Sequence, residues 1–140
     1  MKNLLSMLLV FSFLFTIGCE DDEATTSDTL VGVWNMTSIV VVDDGQTTTI
    51  DASSDYSMVI IFNEDGTYSN QGVIEGDSHS ETGTWSTQGD KLTIIFEEEE
   101  EGTITDIWDY TLSGSSFSMS ISEADDNGDI WTYTYNFTKG

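Results

Sequence analysis

The chain contains no arginine and no proline, one cysteine (Cys19), one histidine (His79) and three lysines (Lys2, Lys91 and Lys139). Against these stand 26 acidic residues, for a formal net charge of −23 at pH 7. A chain so poor in cations has no basic face with which to displace counterions, which excludes nucleic acid as a partner. Anionic lipid surfaces and phosphorylated substrates are disfavoured on the same ground. A lone cysteine cannot close an intrachain disulfide, so stability must come from the core. The missing proline favours a closed sheet, because open edge strands are often blunted with proline. At 140 residues there is room for a single domain.

What is present begins with a targeting signal. Leu4 to Ile17 is apolar apart from Ser6, Ser12 and Thr16, and it follows a start carrying Lys2. The run is shorter than the roughly 20 residues of a membrane span but fits the apolar region of a secretory signal. It ends at Thr16, Ile17, Gly18, Cys19, which resembles the lipobox of bacterial lipoproteins, with Thr16 departing from the common leucine. The resemblance implies cleavage before Cys19, diacylglycerol on its sulfur and acylation, for instance with palmitate, of the new amino terminus. Each buried methylene contributes about 0.8 kcal/mol, so two or three acyl chains make a lasting membrane anchor.

Glu20, Asp21, Asp22 and Glu23 follow, then a short polar stretch with nothing to bury, which reads as a solvated tether. An acidic cluster directly after the lipidated cysteine is similar to the export signal that places lipoproteins of the Bacteroidota on the outer face of the outer membrane. Asp28, Thr29 and Leu30 also resemble a short O-glycosylation motif of those bacteria. The expected organisation is a signal peptide over 1–18, an acidic tether over 19–29 and a folded domain over 30–140.

Within that domain the apolar residues alternate. Met58, Ile60 and Phe62 share one face, as do Leu92, Ile94 and Phe96; Trp108, Tyr110 and Leu112; Phe117, Met119 and Ile121; and Trp131, Tyr133, Tyr135 and Phe137. Period two with one apolar side marks half-buried strands. Turn chemistry separates them at NEDG (63–66), QGD (88–90), SGS (113–115) and DDNGD (125–129). Strands are expected near 30–42, 56–63, 66–73, 80–87, 90–97, 103–113, 116–123 and 129–138. Eight antiparallel strands in sequence bury their apolar faces by closing into an up-and-down barrel, with a sandwich as the alternative all-β arrangement.

The first strand carries LVGVWNMTS with Gly32 and Trp34, and the chain later reads NEDGTY at 63–68 and GTWS at 83–86. These stretches resemble the small lipocalin-like domains of secreted Bacteroidota lipoproteins, over about residues 30–140. The resemblance implies a calyx with one end plugged by Trp34 and one open mouth. It implies no activity, because function resides in sites rather than folds.

A barrel of this size is either filled by side chains or holds one small ligand. Tyr68, Trp108, Tyr110, Trp131 and Tyr133 are the expected ligand-binding residues, since phenol and indole groups place hydrogen bonds in an apolar wall. Without arginine, a buried ligand carboxylate would lack a partner, so the occupant is expected to be neutral or cationic. The leading expectation is a small, neutral, largely apolar molecule; the alternative is a surface interaction or accessory protein with a solid barrel.

Three other features are weighed. The connection from Asp43 to Asp55 could fold as a hairpin turning at Asp43 to Gly45 and act as a lid over the mouth, but its Thr, Ser and Asp content reads better as a floppy surface loop. EADDNGDI (123–130) partly matches a calcium loop, but Thr134 stands where a bidentate glutamate is needed, so a tight acidic hairpin loop is the better reading. Glu97 to Glu101 reads as a solvated loop. His79, between Ser78 and Ser80 in an expected loop, shows no spacing that would orient it towards a nucleophile. Neither an enzymatic reaction nor a cofactor or metal is expected.

Overall fold

A computed structural model of the chain describes residues 29–140. The expected signal peptide, Cys19 and most of the tether lie outside the described residues. The described residues form nine strands and no helix: β1 (Gly32–Asp43), β2 (Gln46–Asp51), β3 (Tyr56–Phe62), β4 (Thr67–Ile74), β5 (Asp77–Gln88), β6 (Lys91–Glu98), β7 (Gly102–Ser113), β8 (Ser116–Ala124) and β9 (Ile130–Lys139). From β3 to β9 each strand pairs antiparallel with the next. A ladder between β1 and β9, from Trp34 opposite Lys139 to Asp43 opposite Trp131, closes the ring. That ladder sets the sandwich aside: eight strands, β1 and β3 to β9, make an up-and-down barrel.

The ninth strand, β2, comes from the connection expected to be a floppy surface loop, with a hairpin or lid as the alternative. Asp44 and Gly45 both have positive φ, 46° and 74°. Such a two-residue turn matches the right-handed twist of its flanking strands and sends the chain straight back along its partner. β2 therefore pairs with β1 from Asp43 opposite Gln46 to Ser38 opposite Asp51. β3 takes the other half of the same edge of β1, from Gly32 opposite Phe62 to Asn35 opposite Val59. The hairpin thus prolongs the barrel wall rather than folding across it.

A similar turn corrects the expected start of β5. Glu75 and Gly76 have φ of 53° and 85°, so Ile74 pairs directly with Asp77. His79 accordingly lies in a strand, not in the loop that the surrounding serines, aspartate and glycine indicated.

Inward positions follow the alternation, with one break. Trp34 and Met36 face the core, the ladder shifts register between Met36 and Ser38, and Ile39 becomes the next buried residue. An extra residue in one strand reverses its later alternation and bends it locally. Gly72 and Gly83 allow the close strand approach that curvature demands: a Cβ at Gly83 would fall on the carbonyl oxygen of Ile95, and one at Gly72 on that of Ser57.

Side chains pack one end of the barrel solid. Trp34 has 0% of its surface exposed and lies 5.4 Å from Phe117. Phe117 stacks on Phe137 at 5.2 Å and meets the edge of Phe62 at 5.9 Å. Such aromatic pairs add about 0.5–1.5 kcal/mol each beyond their burial. Both indole donors here are engaged, Trp34 Nε1 by the Leu30 carbonyl at 2.7 Å and Trp85 Nε1 by the Asn63 carbonyl at 3.1 Å. Trp34 occupies the plugging position that the lipocalin resemblance implied.

The chain enters at this closed end, where buried Leu30 joins the core. The turns between β3 and β4, β5 and β6, and β7 and β8 lie here too, together with Lys91 and Lys139. The opposite end carries the β1–β2, β4–β5, β6–β7 and β8–β9 turns. Their acids, Asp43, Asp44, Glu75, Glu98 to Glu101, Asp125, Asp126 and Asp129, form a rim with no lysine among the described residues.

Candidate functional site

Alternation that packs aromatics at the closed end brings polar residues inward nearer the mouth. On β4, Tyr68 is followed by Asn70; on β5, His79 and Glu81 precede Gly83 and Trp85; on β7, Asp106 precedes Trp108. Asn70 sits directly across from Glu81, and Asp106 across from Ile94. These groups share the barrel interior with Met58, Ile60, Ile74, Ile94, Met119 and Tyr135, and together they line a cavity of about 180 Å³. Larger hollows of about 300 and 420 Å³ are open grooves on the outer face, lined mainly by serine and threonine in one case and by serine, valine and glutamine in the other.

Hydrogen bonds fix part of the cavity wall. The Tyr68 hydroxyl donates to Glu81 Oε1. Asn70 Nδ2 lies 3.2 Å from His79 Nε2. Burial raises the ionisation range of the Tyr68 phenol; the bond to Glu81 and the charges of Glu81 and Asp106 raise it further. The Tyr135 phenol is also raised, first by burial, and its ring meets Trp108 edge-on at 5.9 Å and 79°.

Two buried side-chain atoms in this wall, Asn70 Oδ1 and Trp108 Nε1, have no hydrogen-bond partner. Unpaired buried polar atoms are uncommon because each costs about 1–3 kcal/mol, and they gather where a ligand or water completes them.

Of the residues expected from sequence to bind ligand, Tyr68 and Trp108 line the cavity. Tyr110, Trp131 and Tyr133 do not. Tyr110 packs against the core cluster, while Trp131 and Tyr133 precede Tyr135 on β9, nearer the mouth, opposite Asp43 and Val41. Asn70, His79, Glu81 and Asp106 were not expected there, although their place in the alternation marked them: each is an even number of residues from an inward aromatic on its strand.

The acidic segments resolve into turn chemistry. Asp125 Oδ1 accepts the backbone N–H groups of Asn127 and Asp129, both at 2.9 Å, and Gly128 has φ of 87°. Among the described residues no group of three or more His, Cys, Asp or Glu is placed to hold a metal ion.

A closed eight-stranded antiparallel barrel, plugged at one end and hollow towards the other, is the architecture of a calyx. The model of the lipocalin-like domain family matches residues 30–119, and the chain belongs to that family. Among solved structures, it is similar to a lipocalin-like protein from Bacteroides uniformis ATCC 8492, with 20% sequence identity and a TM-score of 0.50, over 79% of this chain and 98% of that one. That likeness concerns the fold alone. A search of curated proteins finds no match.

Proposed function

We propose that this chain is a lipoprotein held on the outer membrane through Cys19, with its barrel exposed at the cell surface and binding one small molecule. The cavity of about 180 Å³ lined by Tyr68, Glu81, Asp106 and Trp108 carries the reading. An apolar cavity of about 150 Å³ is large enough for benzene, so the occupant is a molecule of about one ring. The neutral, largely apolar occupant expected from the strand faces fits the Met58, Ile60 and Ile94 side of the wall, and the polar side adds a further demand.

The reading is of a binding protein and not an enzyme. An accessory role, with a partner docking on the outside, draws support from Ile107, 57% exposed on β7, with its diagonal neighbour Ile95 on β6, and from exposed Val33 and Ile130.

A panel of small lipophilic dyes tests the proposal. Binding should quench tryptophan fluorescence and raise the melting temperature, as any ligand of the native state does. Trp108→Ala should weaken dye binding at least about tenfold, or about 1.4 kcal/mol, while Tyr133→Ala leaves it within about threefold. No response to any dye, or equal losses in both variants, would leave the docking reading instead. For the anchor, palmitate labelling should vanish in Cys19→Ala; label that persists counts against it.

A further inference from the structure

Glu81 and Asp106 line the cavity, yet the described residues supply no cation to meet them. Lys91 is paired with Asp109, and Lys139 lies 5.4 Å from the Trp34 ring centroid at the closed end. His79, whose Nε2 meets Asn70, counts as neutral at pH 7. Only a neutral phenol, Tyr68, bonds to Glu81. Both carboxylates are part-exposed, and two negative charges facing one cavity without a positive partner draw a cation to it.

The remaining wall favours the same charge. The Trp108 and Tyr135 rings line the same cavity as the carboxylates, and aromatic rings attract cations. Asn70 Oδ1 is a buried acceptor lacking a donor. The mouth opens through the acidic rim, and a cleft lined by one sign of charge concentrates counter-charged solutes and speeds their entry. A bare metal ion is the poorer fit, since no group of three or more ligating side chains is assembled among the described residues.

We propose that the cavity selects a compact organic cation, an ammonium group carried on a body of about one ring, with its charge between Glu81 and Asp106 and its body against Trp108 and Tyr135. This specificity rests on the small-molecule reading above. The one orphan donor in the wall, Trp108 Nε1, would be met by an oxygen acceptor on the same molecule.

Three probes of matched size and different charge separate the possibilities: benzylamine, benzyl alcohol and benzoate, titrated into the full-length chain with tryptophan fluorescence and calorimetry as readouts. Benzylamine should bind at least about tenfold more tightly than benzyl alcohol, with benzoate weakest, and its advantage should shrink as salt is raised. The double substitution Glu81→Gln with Asp106→Asn should bring the amine-to-alcohol ratio to within about threefold; Asp106→Asn alone, which keeps the Tyr68 bond to Glu81, should lower it part of the way. Alcohol or benzoate binding as tightly as the amine, or a ratio untouched in folded variants, overturns the cation inference while leaving a ligand-binding calyx. Binding of lipophilic dyes without any of the three probes does the same. Silence from dyes and probes together overturns both.

Discussion

Tyr68 joins the packed floor of the barrel to its hollow part: its ring approaches Phe62 at 6.5 Å, and its hydroxyl reaches Glu81. Its ionisation lies above the ordinary phenol range because burial and the neighbouring carboxylates disfavour the phenolate. The unfolded chain therefore loses this proton before the native chain does. Tyr68 contributes its stabilisation fully below pH of about 10 and loses it progressively above that value. Tyr135 acts in the same direction. Urea denaturation at about pH 8 and about pH 11 should show the wild-type chain losing stability at the higher pH, and Tyr68→Phe losing measurably less. An equal loss in both chains would mean that this phenol ionises as freely folded as unfolded.

Among the elements, β5 shows most clearly what the sequence reveals and where it falls silent. Period two identified the strands and their inward aromatics, because burial of one face imposes that pattern directly. Its limits appeared where backbone conformation intervened. The Glu75–Gly76 turn drew His79 into the ladder, and the register shift after Met36 turned Ile39 inward. Alternation also says which way a side chain faces but not how far along the barrel it sits. Alternation therefore puts Tyr68 and Trp108, which line the cavity, in one group with Tyr110, Trp131 and Tyr133, which do not, and the apolar pattern carries no sign of the inward Asn70, His79, Glu81 and Asp106.

Two glycines distinguish close strand approach from backbone strain in a turn. Gly83→Ala must displace backbone, since its Cβ would land on the Ile95 carbonyl and within 3.0 Å of Tyr68; a loss of about 2–3 kcal/mol is expected. Gly45→Ala meets nothing within 4 Å and bears only its left-handed φ, costing about 1 kcal/mol. Denaturant midpoints at unchanged slope would measure both. Equal effects would argue against close strand approach at Gly83.

For the whole molecule, charge outweighs every other feature. Most of the net charge of −23 at pH 7 belongs to residues of the folded domain, where it concentrates repulsion in the compact state, and salt relieves it by screening. Raising sodium chloride from about 10 mM to about 500 mM should increase the melting temperature by about 5 °C, the shift about 1 kcal/mol produces in a domain of this size. A melting temperature indifferent to salt would show that the acids are too well spread to strain the fold.

The point at which the chain enters the barrel also has a bearing on posture. Leu30 sits at the foot of β1, on the side where Lys91 and Lys139 are found. A lipid mooring at Cys19 would thus tie the cup by its base, with the lysines towards the bilayer. The anionic lip would then stand clear of the lipid headgroups and look out into the medium, so that a solute arriving from outside could enter without first crossing the membrane surface.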